Sequence, residues 1–176
     1  MHAVERLKRD TVGTTRTVRL AALVAAALVL GACARKPPTD KDMLAAFAAH
    51  RATFEALRTD LCKLKYDQTI MRDPAWAQPQ MPPADEKRYR AVLAALGATG
   101  VKYVRGCQLW IEMWSSGVGQ GAAYKKFRYG PPMYRIIEIK EPPPKDLNSY
   151  LDKRVAIASF EKNIEGDWWI EIDHWQ

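Results

Sequence analysis

The side chains best suited to chemistry stand on two stretches of alternating sequence. In Cys107–Trp114 one set is Cys107, Leu109, Ile111 and Met113, and the other is Gln108, Trp110, Glu112 and Trp114. In Trp168–Trp175 one set is Trp168, Ile170, Ile172 and His174, and the other is Trp169, Glu171, Asp173 and Trp175. A period of two is that of a β-strand, whose successive side chains point to opposite faces. The first set in each stretch belongs to a core. The second interleaves large aromatics with carboxylates, and an ordinary solvent face rarely carries so many tryptophans. This makes Trp110, Glu112, Trp114, Trp169, Glu171, Asp173 and Trp175 a candidate binding face, and the segment from Ala122 to Tyr129 adds Lys125, Lys126 and Arg128. Tryptophans flanked by carboxylates can stack on sugar rings while the acids accept hydrogen bonds from hydroxyls. An aromatic patch with a charged rim equally suits a protein partner. A third arrangement covers the tryptophans and pairs Glu171 and Asp173 across strands with Lys or Arg. Paired carboxylates also carry out glycoside hydrolysis, but two acids on one strand are a weak sign of it.

Other catalytic constellations are missing from the sequence. Beyond residue 32 the serines are Ser115, Ser116, Ser149 and Ser159, and none stands in a G-x-S-x-G elbow. There is no H-E-x-x-H, phosphate-binding loop or G-x-G-x-x-G; Gly117-Val118-Gly119-Gln120-Gly121 reads as a hairpin tip. His50 and His174, with no cysteines nearby, form no metal-ligand pattern, so neither metal nor cofactor is expected. His50 falls between Phe47 and Phe54 on an apolar arc, which predicts a core histidine hydrogen-bonded to a sheet backbone group. The sequence thus favours a binding protein over an enzyme.

The N-terminus supplies an address. Basic residues Arg6, Lys8, Arg9, Arg16 and Arg19 precede the apolar run LAALVAAALV from Leu20 to Val29, and Leu30-Gly31-Ala32-Cys33 follows. A basic stretch, a short apolar core and small residues before a cleavage point make a signal peptide. The run of 13 residues from Leu20 to Ala32 is shorter than the ~20 that a spanning helix needs. Leu30-Gly31-Ala32-Cys33 resembles the bacterial lipobox, in which the thiol is acylated with diacylglycerol and the chain is cut before Cys. The resemblance implies a lipid, palmitate among its acyl chains, on Cys33. It also implies the outer membrane, because Ala34 rather than Asp follows the Cys. Residues 1–32 are then a removable leader, 33–40 a lipidated Cys with a basic, proline-containing tether, and 41–176 one periplasmic domain. Of the formal charge of +7, the leader carries +3, which leaves 22 basic and 18 acidic residues behind it. A net charge that mild does not indicate a nucleic-acid partner.

With Cys33 committed to lipid, Cys62 and Cys107 are an even pair in an oxidising compartment. They form either a disulfide or two buried thiols.

The elements that position these residues follow from periodicity. Thr39 or Asp40 offers an N-cap, and Phe47, Phe54, Leu57, Leu61 and Leu64 share one arc, which predicts a helix from Lys41 to about Lys65. Asp67 to Pro83, with four prolines, reads as a loop. Pro83 suits the first turn of a second helix, Ala84 to about Leu96, which Gly97 ends. Strands are expected at Cys107–Trp114, Ala122–Tyr129, Met133–Lys140, Arg154–Lys162 and Trp168–Trp175, with one or two helical turns between Lys145 and Asp152. Residues 163–167 read as a hairpin loop. Helices first and strands afterwards predict an α+β domain: two N-terminal helices packed on one face of an antiparallel sheet of four to five strands.

Taken together, the lipobox, the segment FAAHRATFEAL (Phe47 to Leu57) and the tryptophan-rich C-terminal hairpin resemble small proteobacterial lipoproteins of unknown function. The resemblance implies attachment to a membrane through the N-terminal lipid, at the periplasmic face of the outer membrane. The expected role is a protein-interaction or structural module of the cell envelope with a protein partner. A peptidoglycan- or glycan-binding module and a small carboxylate-dependent hydrolase are the alternatives.

Overall fold

The computed structural model describes residues 36–72, 74–117, 122–132, 145–151 and 157–175. The leader, Cys33 and the expected strand Met133–Lys140 lie outside them. Helix α1 spans Asp40–Leu61 and helix α2 Pro83–Ala95; between and after them run strands β1 (Gln68–Met71), β2 (Trp76–Gln78), β3 (Gly100–Val104), β4 (Gln108–Ser116), β5 (Ala123–Tyr129), β6 (Ile157–Glu165) and β7 (Trp168–Trp175). A short 3₁₀ helix covers Leu147–Tyr150. All seven strands form one antiparallel sheet in the order β2-β1-β3-β4-β5-β7-β6.

The α+β class is therefore as expected, but among the described residues the sheet has seven strands rather than four or five. The additions are β1 and β2, inside the stretch read as a loop, and β3. Prolines 74, 79, 82 and 83 lie outside these two strands, so the segment can pair briefly between them. β1 and β2 are four and three residues long, too short for alternation to be visible.

Helix α1 opens with a capping box: the Thr39 hydroxyl accepts from the Asp42 amide at 3.1 Å, and the Asp42 carboxylate accepts from the Thr39 amide at 3.1 Å. Met43 and Phe47 are buried before its midpoint, and Phe54, Leu57 and Leu61 after it. Between the two groups the backbone at His50 leaves helical geometry (φ −118°, ψ 19°), and the His50 side chain is exposed. The core histidine expected from an uninterrupted helical arc is thus overturned: the buried residues keep one arc on both sides of the kink, but the departure of the His50 backbone from helical geometry leaves its own side chain exposed. Gly97 ends α2 with φ +70°, a conformation that favours glycine.

The core lies between the helices and alternate sheet residues. Phe47, Phe54, Phe127 and Trp168 form an aromatic cluster with ring centroids 4.8–5.8 Å apart. Ile70, Val101, Leu109, Ile111, Ile170 and Ile172 extend it across the sheet, with Tyr89 and Leu93 of α2. At the far end of α1, the Cys62 and Cys107 sulfurs lie at disulfide distance, with Cα atoms 4.8 Å apart across 45 residues. No helix among the described residues is long and apolar enough to cross a membrane.

Candidate functional site

Cross-strand register sorts the sheet residues onto two faces. Val101, Ile111, Phe127, Ile170 and Lys162 share the helix-covered face, whereas Lys102, Trp110, Arg128, Trp169 and Asn163 share the outer one. Glu112 pairs with Lys126, which pairs with Glu171 and so with Glu161; Tyr124 pairs with Asp173 and so with Ser159. Strand β1 adds Thr69 and Met71 to the same face.

The structure brings Trp110, Glu112, Trp169, Glu171 and Asp173 together on the outer face, as the alternation predicts. Trp114 is the exception. The β4–β5 register shifts between Glu112 and Trp114, leaving Met113 over as the extra residue. Trp114 then pairs with Lys125, a residue of the helix-covered face, so the expected alternation ends at Glu112. Trp175 continues β7, opposite Ile157.

Glu171 and Asp173 are buried, at 0% and 4% exposure, and they sit in a network of charges. Lys126 forms ion pairs with Asp173 and, at 3.5 Å, with Glu171. The Arg128 guanidinium pairs with Glu161 at 2.7 Å and Glu171 at 3.5 Å, and it donates to the Pro131 carbonyl at 2.7 Å. The Trp110 indole N–H donates to Glu171 at 3.2 Å, and the Trp169 indole N–H to the Gly130 carbonyl at 3.0 Å. Arg128 also lies over the Trp169 ring, 5.4 Å from its centroid.

This burial separates the two acids. Removal from water is the largest influence on Glu171; with the nearby Asp173 charge it outweighs Lys126 and raises the carboxyl to about 7. Burial would raise Asp173 too, but the Lys126 charge and hydrogen bonds from Lys126 and Ser159 prevail and hold it below the usual range. Near neutral pH the pair can therefore hold one proton, on Glu171, beside an ionised Asp173.

Next to the network an open cleft of about 520 Å³ is lined by Trp110, Glu112, Tyr124, Lys126 and Asp173, and by Lys102, Thr69, Met71, Gly100 and Val101. That volume is within the range of small-ligand sites. The Lys102 ammonium lies 6.0 Å from the Trp110 ring centroid, and the Glu112 carboxylate accepts from the Thr99 hydroxyl at 2.9 Å. Glu171 is not among the lining residues. Sequence reasoning missed Thr69, Met71 and Lys102. The first two stand on an unrecognised strand, whereas alternation through Gly100–Val104 would have set Lys102 beside Trp110. No group of three or more His, Cys, Asp or Glu able to hold a metal ion occurs among the described residues.

No family model matches the chain, nor does any curated protein or solved structure.

Proposed function

We propose that this chain is a cell-envelope lipoprotein, held by lipid on Cys33 at the periplasmic face of the outer membrane, whose domain binds a carbohydrate ligand in the outer-face cleft. The observation that carries the binding reading is the cleft itself, where Trp110 and Tyr124 stand beside Glu112, Lys126, Asp173 and Lys102. An indole ring gives a sugar an apolar face to stack on, and the charged groups around it accept from and donate to hydroxyls. This concavity favours a small or chain-like ligand over a flat protein partner. Hydrolysis is disfavoured because the acid holding the proton, Glu171, is sealed at 0% exposure outside the cleft lining.

The test is to pellet the chain from Ala34 onward with purified peptidoglycan sacculi across a salt series. Adhesion through net charge fades with salt. Binding that persists at high salt and is lost in Trp110→Ala is expected. If no salt-resistant binding occurs, a protein partner becomes the better reading, to be sought by cross-linking in intact cells.

A further inference from the structure

The two prolines after the lipobox read in the sequence as part of a basic tether. The structure gives their carbonyls a different use. The Asn148 side-chain amide donates to the Pro37 and Pro38 carbonyls at 3.3 and 3.2 Å, and the Lys125 ammonium donates to Pro38 at 2.7 Å. Lys125 is fully buried, and it also meets the Asp40 carboxylate at 2.8 Å, Asp146 at 3.4 Å and the Asn148 side-chain carbonyl at 2.6 Å. Asp40 accepts from the Leu147 amide at 3.2 Å and pairs with Lys162 at 3.1 Å. Sheet, α1 and 3₁₀ helix thus close on the chain at Pro37 and Pro38.

Only Ala34, Arg35 and Lys36 then lie between Cys33 and the clamp. Four extended steps reach at most about 14 Å. Lys41 and Lys145 are exposed and adjoin Asp40 and Asp146 in sequence, and Arg35 and Lys36 stand in the leash itself. Basic residues this close to a membrane are attracted to anionic headgroups. We propose that the end of the domain built from the α1 N-terminus and the 3₁₀ helix rests against the anionic lipid surface, with Pro37 and Pro38 gripped so that the leash cannot lengthen. The inference rests on the reading of Cys33 as the lipidated residue.

The test uses the full chain expressed with its leader and purified from membranes, its mass first examined for acyl groups on Cys33. A fluorophore is placed at Lys145→Cys or, in a separate variant, at Thr59→Cys, an exposed α1 position and roughly 28 Å along the helix from Asp40. Each variant is reconstituted into vesicles of phosphatidylcholine and phosphatidylglycerol that carry a headgroup quencher. The expected result is about tenfold stronger quenching at position 145 than at 59, given the steep distance dependence of energy transfer over that span. A glycine-serine insertion between Lys36 and Pro37, which leaves the clamp intact, should abolish most of that difference. Equal quenching at the two positions, or none at either, on an acylated chain overturns the inference alone. An unacylated Cys33 overturns both the inference and the lipoprotein reading beneath it.

Discussion

Lys125 and Lys126 are neighbours on one strand, and each meets two carboxylates, yet their surroundings differ. Lys125 points to the helix-covered face, is fully buried, and joins groups far apart in the chain: Pro38, Asp40, Asp146 and Asn148. Lys126 points to the outer face, keeps 15% of its side chain exposed, and meets Glu171 and Asp173 two strand positions apart on β7. It also lines the cleft. One cluster is a closed clamp that fixes where the chain enters the domain. The other is open on one side, where a ligand can approach the same kinds of group. Burial without a water path makes a charge pair structural; a partial opening makes it available for recognition.

The sharpest way to break the comparison is Lys125→Met. It leaves Asp40 with Lys162 alone and takes the buried ammonium donor from Pro38, Asp146 and Asn148, so a loss of about 3–5 kcal/mol is expected in chemical denaturation. A loss below about 1 kcal/mol would mean that the clamp contributes little. The opposite end of α1 offers a covalent counterpart. If the Cys62 and Cys107 sulfurs are bonded in the protein, Cys107→Ser should cost about 4 kcal/mol in the chain-entropy treatment of a loop this long. Two alkylatable thiols in the unreduced protein would refute that bond.

Titration separates the clusters next. Because Glu171 is raised to about 7 in the folded state from 4.5, the folded chain holds its proton more tightly than the unfolded chain between those values. Stability should therefore fall as pH rises from about 4.5 to 7, by on the order of 3 kcal/mol from this group. Asp173 has the opposite sign: its contribution is present above its ordinary value of 3.8 and is lost in stronger acid. In Glu171→Gln, thermal melts across pH 4.5–7 should lose the slope; an unchanged slope would assign it elsewhere. Lys126→Ala should cost less than Lys125→Met, about 1–2 kcal/mol, because water reaches the site, while ligand binding falls. Smallest in stability is Lys102→Ala, an exposed change expected within about 0.5 kcal/mol. It should still weaken salt-resistant binding to sacculi, and unchanged binding would remove Lys102 from the site.

Much of the site was legible because alternation is a local property. Once a strand is recognised, side chains two apart must share a face, and Trp110 with Glu112, and Trp169 with Glu171 and Asp173, follow directly. The capped start of α1, the proline start and glycine end of α2, and the 3₁₀ turn after Lys145 were legible for the same reason. The failures occurred where local rules meet an interruption. A kink at His50 carries that side chain out of the apolar stripe, and a bulge after Glu112 moves Trp114 to the other face. Each follows from one residue's backbone, whose effect on periodicity the residue types do not announce.

The sequence by itself determined the α+β class, the aromatic and carboxylate face, the even cysteine pair and the expectation of a lipid anchor, since composition, spacing and periodicity act within a few residues. Only the tertiary structure decided that β1 and β2 join the sheet, because such short strands are stabilised by their partners rather than by their own pattern. It also decided which of two adjacent lysines is sealed and which lines a cleft. Their chemical identity is the same, and the difference lies in what distant segments pack against each face.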